Sequence, residues 1–238
     1  MTEPAHTTVD PAEIERFSRI SEEWWDPAGK FAPLHRLNPL RIGYIRDRAA
    51  AHWKRDPLTG LPLKGLSLLD IGCGGGLLSE PMARLGAHVT GVDAAAPNIR
   101  VAALHAGKQG LDIDYRQGAA EALAASDIQF DIVLALEVVE HVADVELFLK
   151  SCSRMVKPGG LLFLSTLNRT AKSWALAIAG AEYILRWLPR GTHDWKKFLK
   201  PSEVVDGLGA AGIDARRSWA WSTARSAAPG RSTRATST

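Results

Sequence analysis

The run Leu68-Leu69-Asp70-Ile71-Gly72-Cys73-Gly74-Gly75-Gly76-Leu77 passes from a strand-like pattern to a helix-like one through four glycines in five residues. Glycine at such a turn lets the backbone tighten and lets a ligand approach it, because no Cβ stands in the way, and the helix that follows offers its N-terminal N–H groups. Asp93 ends the next strand-like run, Val89-Thr90-Gly91-Val92-Asp93, at the separation where an acid binds a ribose diol. The glycines alone also read as a tight strand–helix turn without a ligand; the acid adds chemistry to them. A second constellation, Glu137, Glu140 and His141, closes the strand-like run 131–136. On a helix these three fall on one side and can converge on a proton or a cation. Two carboxylates with an imidazole suit a divalent metal such as magnesium, and the imidazole alone suits a general base. The same spacing also reads as a solvated helix start, with acids favoured by the dipole and His141 merely packing.

These groups need a scaffold that carries them to one edge. Strand-like runs at 67–71, 88–92, 113–116, 131–136 and 161–165 alternate with helix-like ones at 77–85, 95–106 and 145–156, and Lys157-Pro158-Gly159-Gly160 reads as the turn that launches the last strand. Such alternation predicts an α/β fold, a doubly wound, Rossmann-like parallel sheet whose carboxyl edge binds ligands. Residues 1–60 read as a helical cap: Phe17, Ile20, Trp24 and Trp25 recur at helical spacing, and a second amphipathic run reaches Trp53 around the breaker Asn38-Pro39. Trp24 and Trp25 are expected in the core. The main domain spans 61–214, with a short helix at 202–211 and a basic insertion at 168–200. Beyond it, at 215–238, Ala, Arg, Ser and Thr supply 20 of 24 residues, a composition expected to stay disordered.

Two ligand classes use a glycine turn with a strand-end acid. The dinucleotide fingerprint begun at Gly72 needs glycine where Leu77 stands, which disfavours a nicotinamide oxidoreductase. Asp70-x-Gly72-x-Gly74-x-Gly76 instead resembles the first motif of class I S-adenosylmethionine-dependent methyltransferases, in which the loop cups the methionine moiety. The resemblance narrows with Phe31-Ala32-Pro33-Leu34-His35-Arg36-Leu37-Asn38-Pro39-Leu40-Arg41, Glu137-Val138-Val139-Glu140-His141, Ser165-Thr166-Leu167-Asn168-Arg169 and Gly191-Thr192-His193-Asp194. Together these are similar to the ubiquinone-biosynthesis O-methyltransferases, over most of the chain from Asp10 to Ala211. The resemblance implies methylation of a hydroxyl on a polyprenyl catechol and on demethylubiquinol. It implies that Arg41, Gly72, Asp93 and Leu136 contact S-adenosylmethionine, with Asp70, Gly74 and Gly76 completing the motif. It further implies that Glu137, Glu140 and His141 hold a divalent metal, with magnesium the expected ion. A metal bridging adjacent oxygens would stabilise a phenolate. His141 as direct base is the competing role, so His141 and Glu137 are the expected catalytic residues.

Charge sharpens the partner expectations. The net +3 and pI near 8.9 would suggest nucleic acid, but residues 215–238 carry five Arg and no acid, leaving 1–214 at −2. No nucleic-acid partner is expected. Within the remainder, 168–200 holds seven Lys or Arg against two acids around the amphipathic stretch that includes Trp174, Leu185 and Leu188. That pattern suits an anionic membrane surface, where an isoprenoid substrate resides; an ordinary lid packed on the domain is the alternative. Two cysteines and an acidic N-terminal stretch fit a cytoplasmic protein peripheral to the inner membrane, within a possible ubiquinone-biosynthesis complex. Residues after Ala215 depart from the family, whose last antiparallel strands are therefore expected to be missing, as a shifted reading frame would produce. A non-catalytic quinone-lipid-binding or assembly protein that retains the fold is the alternative function.

Overall fold

The computed structural model describes residues 7–166 and 201–213. Five parallel strands, β1 Ser67–Ile71, β2 His88–Asp93, β3 Asp114–Gln117, β4 Phe130–Leu136 and β5 Val156–Ser165, lie in the order β3-β2-β1-β4-β5. The chain winds outward from β1 through β2 and β3, then returns to the centre and winds the other way through β4 and β5. The topological switch therefore falls between β1 and β4, where an open α/β sheet leaves a crevice for ligands. Gly72 follows β1 and Glu137 follows β4, so both expected constellations border that crevice.

Side-chain alternation divides the sheet into two buried faces. Leu69 and Ile71 of β1 join Val133 and Ala135 of β4 beneath α5 Ala120–Ala124, α6 Val145–Arg154 and α7 Pro201–Ala210, where Phe148, Leu149 and Leu208 are buried. Leu68, Ile132 and Leu134 face the other way, against Ile45 and Ala49 of α2 Ala32–His52 and Met82 of α3 Ser79–Arg84. Each fully buried Leu, Ile, Val, Met or Phe among them stabilises the fold by roughly 1.5–3 kcal/mol. A third cluster, Trp24, Phe31 and Leu77, joins the N-terminal cap to the glycine turn.

The cap differs from expectation at Pro39. Helix α2 starts at Ala32 and runs through Pro39, where a break was expected. Proline removes one backbone N–H, but Asn38 Nδ2 donates to the Leu77 carbonyl at 3.3 Å, and Arg41, Ile45 and Ala49 are buried one and more turns on. Packing outweighs the lost hydrogen bond. Ahead of it, α1 Pro11–Arg19 is capped by Asp10, whose carboxylate accepts from the Ala12 N–H, with Pro11 in the first turn. Thr7 and Thr8 both donate to Glu121, at 2.7 and 2.5 Å, tying the N-terminal segment to the unforeseen short helix α5. The last strand also begins earlier than expected: β5 starts at Val156, and Lys157-Pro158-Gly159-Gly160 forms a bulge between the pairs Phe130↔Val156 and Ile132↔Leu161.

No described helix is long and apolar enough to cross a membrane. The basic insertion at 168–200, the tail at 215–238 and the question of further antiparallel strands lie outside the described residues.

Candidate functional site

The glycine turn is clamped to the neighbouring strand. The N–H groups of Gly72 and Cys73 both donate to the Val92 carbonyl, at 2.7 and 3.1 Å. Gly72 and Gly74 have φ of 67° and 55°, the left-handed region that costs a residue with a side chain roughly 1–2 kcal/mol. Gly74 then donates its N–H to Asp93 Oδ2 at 2.9 Å, while Ala95 N–H and Asn98 Nδ2 donate to Oδ1 at 2.8 and 3.1 Å. The turn after β1 and the acid at the end of β2 are thus one hydrogen-bonded unit. Burial holds the Asp93 carboxyl above its ordinary value, against the pull of the Ala95, Gly74 and Asn98 donors.

Asp70 lies beneath this unit. It is buried, and its Oδ2 accepts a hydrogen bond from the Ser79 hydroxyl at 2.6 Å, which anchors the start of α3. Asp70 thus ties the end of β1 to the helix that follows the turn. Burial, reinforced by the charge of Asp93 and opposed by Ser79, pushes its pKa up to about 7. A carboxyl raised in the fold costs stability as pH rises from about 4 to 7, because the unfolded chain releases a proton that the folded one retains. Asp70→Asn is expected to remove that fall, so its thermal stability relative to the parent should climb between pH 5 and pH 8, by up to about 2.5 kcal/mol. A constant difference across that range, measured by calorimetry, would contradict the assignment.

Two indoles cover the turn. Trp24 is buried, stacks on Phe31 at 3.7 Å and donates Nε1–H to Asn98 Oδ1 at 2.9 Å. Trp25 donates Nε1–H to the Gly75 carbonyl at 2.9 Å and stacks on His105 at 3.5 Å, whose Nδ1 lies 2.5 Å from Oε1 of the fully buried Glu80. A Cβ on Gly75 would collide with Cβ and Cγ of Trp24, atoms too near the backbone to swing aside. Gly75 has no positive φ, so Gly75→Ala tests packing alone. It should destabilise the protein by roughly 1–3 kcal/mol, read as a lowered Tm.

The second constellation is arranged differently from the expected helix. Glu137 has φ 57°, and only a single 3-10 turn, Val139–His141, follows it. Glu137 Oε1 lies 2.9 Å from Arg41 Nη2 and accepts from the Ser165 hydroxyl at 2.8 Å. Glu140 is buried, whereas His141 Nδ1 faces Glu13 Oε2 at 3.1 Å and Arg16 Nη2 at 3.3 Å from α1. Glu137 and His141 therefore point to separate partners, and among the described residues no group of three His, Cys, Asp or Glu is arranged to hold a metal. The expected magnesium ligands do not fit a shared cation in this arrangement. The left-handed residue and the 3-10 turn replace the α-helical i, i+3, i+4 alignment, and Arg41 and Glu13 draw the side chains of Glu137 and His141 apart.

Arg41, expected to meet the donor's carboxylate, is buried on α2 and paired with Glu137 across the crevice. Burial draws its guanidinium below the ordinary value, while Glu137 and then Glu140 oppose that shift. Leu136 sits at the carboxyl end of β4, in register with Ser165. The contacts of Ser165, Glu13 and Arg16 were invisible in spacing, since each comes from a distant part of the chain, whereas Asn98 follows Asp93 by five residues.

A methyltransferase-domain family model matches residues 69–164. The ubiquinone biosynthesis O-methyltransferases of Chelativorans sp. (strain BNC1) and Brucella anthropi are 59% and 60% identical to this chain over 213 residues. The match covers 90% of the chain and 84% and 86% of those proteins. The Brucella ovis relative of the same name is 61% identical, again over 90% of the chain and 86% of that protein. Among solved structures, a magnesium protoporphyrin IX methyltransferase from Synechocystis PCC 6803 with bound SAH shares the fold, with a TM-score of 0.59 at 22% identity over 90% of both chains.

Proposed function

The chain belongs to the ubiquinone biosynthesis O-methyltransferase family, and from that membership we propose that it methylates phenolic hydroxyls of a polyprenyl catechol and of demethylubiquinol, with S-adenosylmethionine as donor. The observation that carries the donor assignment is the hydrogen-bonded unit of Gly74 and Asp93 at the carboxyl ends of β1 and β2, beside the topological switch. S-adenosylmethionine supplies the methyl group already activated on a sulfonium. The chain's residues bind, orient and handle a proton. Asp93, half-buried, accepts from a ribose hydroxyl, and the glycine turn lets the backbone approach the methionine moiety. Arg41 serves two carboxylates, that of Glu137 and that of the donor.

Methyl transfer forms an oxygen–carbon bond as the carbon–sulfur bond breaks, and the phenolic proton must leave. His141 takes it at Nε2 in the tautomer whose Nδ1–H donates to Glu13 Oε2. Alignment of the phenolic oxygen with the methyl carbon supplies most of the acceleration. Turnover of both phenols by the purified full chain tests this reading. Donor binding without product from either substrate would favour the non-catalytic lipid-binding or assembly alternative.

The basic composition of 168–200 supports peripheral association with an anionic membrane, where a prenylated substrate would reside. Co-sedimentation with vesicles should rise on adding anionic lipid and fall on neutralising Lys196, Lys197 and Lys200; no change in either would refute the membrane role.

A further inference from the structure

Asp93 is reached from the cap as well as from the sheet. Asn98, itself 2% exposed, stands between Trp24 and Asp93: its Oδ1 accepts from Trp24 Nε1–H at 2.9 Å, and its Nδ2 donates to Asp93 Oδ1 at 3.1 Å. Chemistry fixes the amide's orientation, since an indole N–H only donates and an ionised carboxylate only accepts. The oxygen must face the indole, and the nitrogen must face the acid. Without the indole N–H, the amide is free to turn its oxygen towards Asp93, which replaces an attraction by a repulsion.

The acid's remaining capacity makes this orientation matter. A carboxylate offers about four acceptor positions. The N–H groups of Gly74 and Ala95 and the amide of Asn98 occupy three of them, two on Oδ1 and one on Oδ2. What is left for a ribose hydroxyl is concentrated on Oδ2, and its direction is set by the donors that hold the other positions. Trp24 is itself fixed by stacking on Phe31 and by contact with the glycine turn.

We propose that Trp24 and Asn98 are positioning residues for Asp93, so that docking of the N-terminal cap sets how well the site reads the donor's ribose. The proposal rests on the reading of Asp93 as the ribose acid and adds the residues that orient it. Trp24→Phe keeps the ring that stacks on Phe31 and removes only the N–H donor, whereas Asn98→Ala removes the link itself.

The test compares S-adenosylhomocysteine with its 2′-deoxy analogue by calorimetry on the full chain. A change in general stability shifts both ligands alike, but loss of ribose positioning shifts their ratio. In the parent protein the deoxy analogue should bind about tenfold more weakly, the worth of one hydrogen bond to a charged group. In Trp24→Phe and in Asn98→Ala that ratio should fall at least threefold, with the hydroxylated ligand taking the loss. An unchanged ratio in both variants overturns the proposal, provided Asp93→Ala abolishes the ratio. If Asp93→Ala retains the parent ratio, the ribose reading itself fails and the proposal falls with it.

Discussion

Replacing Asp93 by alanine is expected to raise the dissociation constant of S-adenosylmethionine by about 100-fold or more, measured by calorimetry. A hydrogen bond to a carboxylate contributes roughly 1.5–3 kcal/mol, about tenfold to 150-fold in affinity, and the substitution removes the acceptor position that Asp93 keeps for the ribose. The substitution also strands the N–H groups of Gly74 and Ala95, which loosens the turn. Asparagine is no benign substitute. The carboxylate accepts three N–H donors through its two oxygens, and an amide must set its own NH2 against one of them. Asp93→Asn should therefore also bind the donor poorly despite its matched volume. Binding of either variant within threefold of the parent would show that this acid does not hold the ribose.

Arg41→Met is expected to have the second largest effect, and on two readouts. Its guanidinium is 3% exposed and meets Glu137, which is 23% exposed. Removing one partner of a fully buried pair costs roughly 3–5 kcal/mol. Water reaches Glu137, so roughly 2–3 kcal/mol is expected here, a fall of about 4–12 °C in Tm for a domain of this size. Adding Glu137→Gln should recover part of that stability, because it removes the uncompensated charge. It should not recover turnover, which needs Arg41 for the donor's carboxylate. A single variant as stable as the parent would contradict the pairing, and a double variant with full activity would contradict the donor role.

The parts of this protein that were legible in its sequence share one property: their cause is local. The glycine turn, Asp93 and the period of each strand announce themselves because backbone sterics and side-chain alternation act over a few residues. Strand β1 was expected at 67–71 and is Ser67–Ile71, and the family resemblance is borne out by relatives about 60% identical. Where tertiary contacts decide, local reading failed. Pro39 sits inside a helix because buried Arg41 and Ile45 hold that helix against the core. Glu137 and His141 part company because Arg41 and Glu13, each about a hundred residues or more away, draw their side chains apart. Trp24 was expected as core and is buried, yet its N–H also reaches Asn98 beside Asp93, a link that no spacing displays.

The proposed O-methylation is tested most directly by following a labelled methyl group from S-adenosylmethionine to a polyprenyl catechol with the purified full chain, with Asp93→Ala run beside it. Label is predicted in the phenolic ether, one equivalent for each S-adenosylhomocysteine formed, and none above background in the variant at micromolar donor. A parent protein that binds the donor yet leaves the catechol unlabelled would contradict it, as would a variant that labels it at the parent's rate.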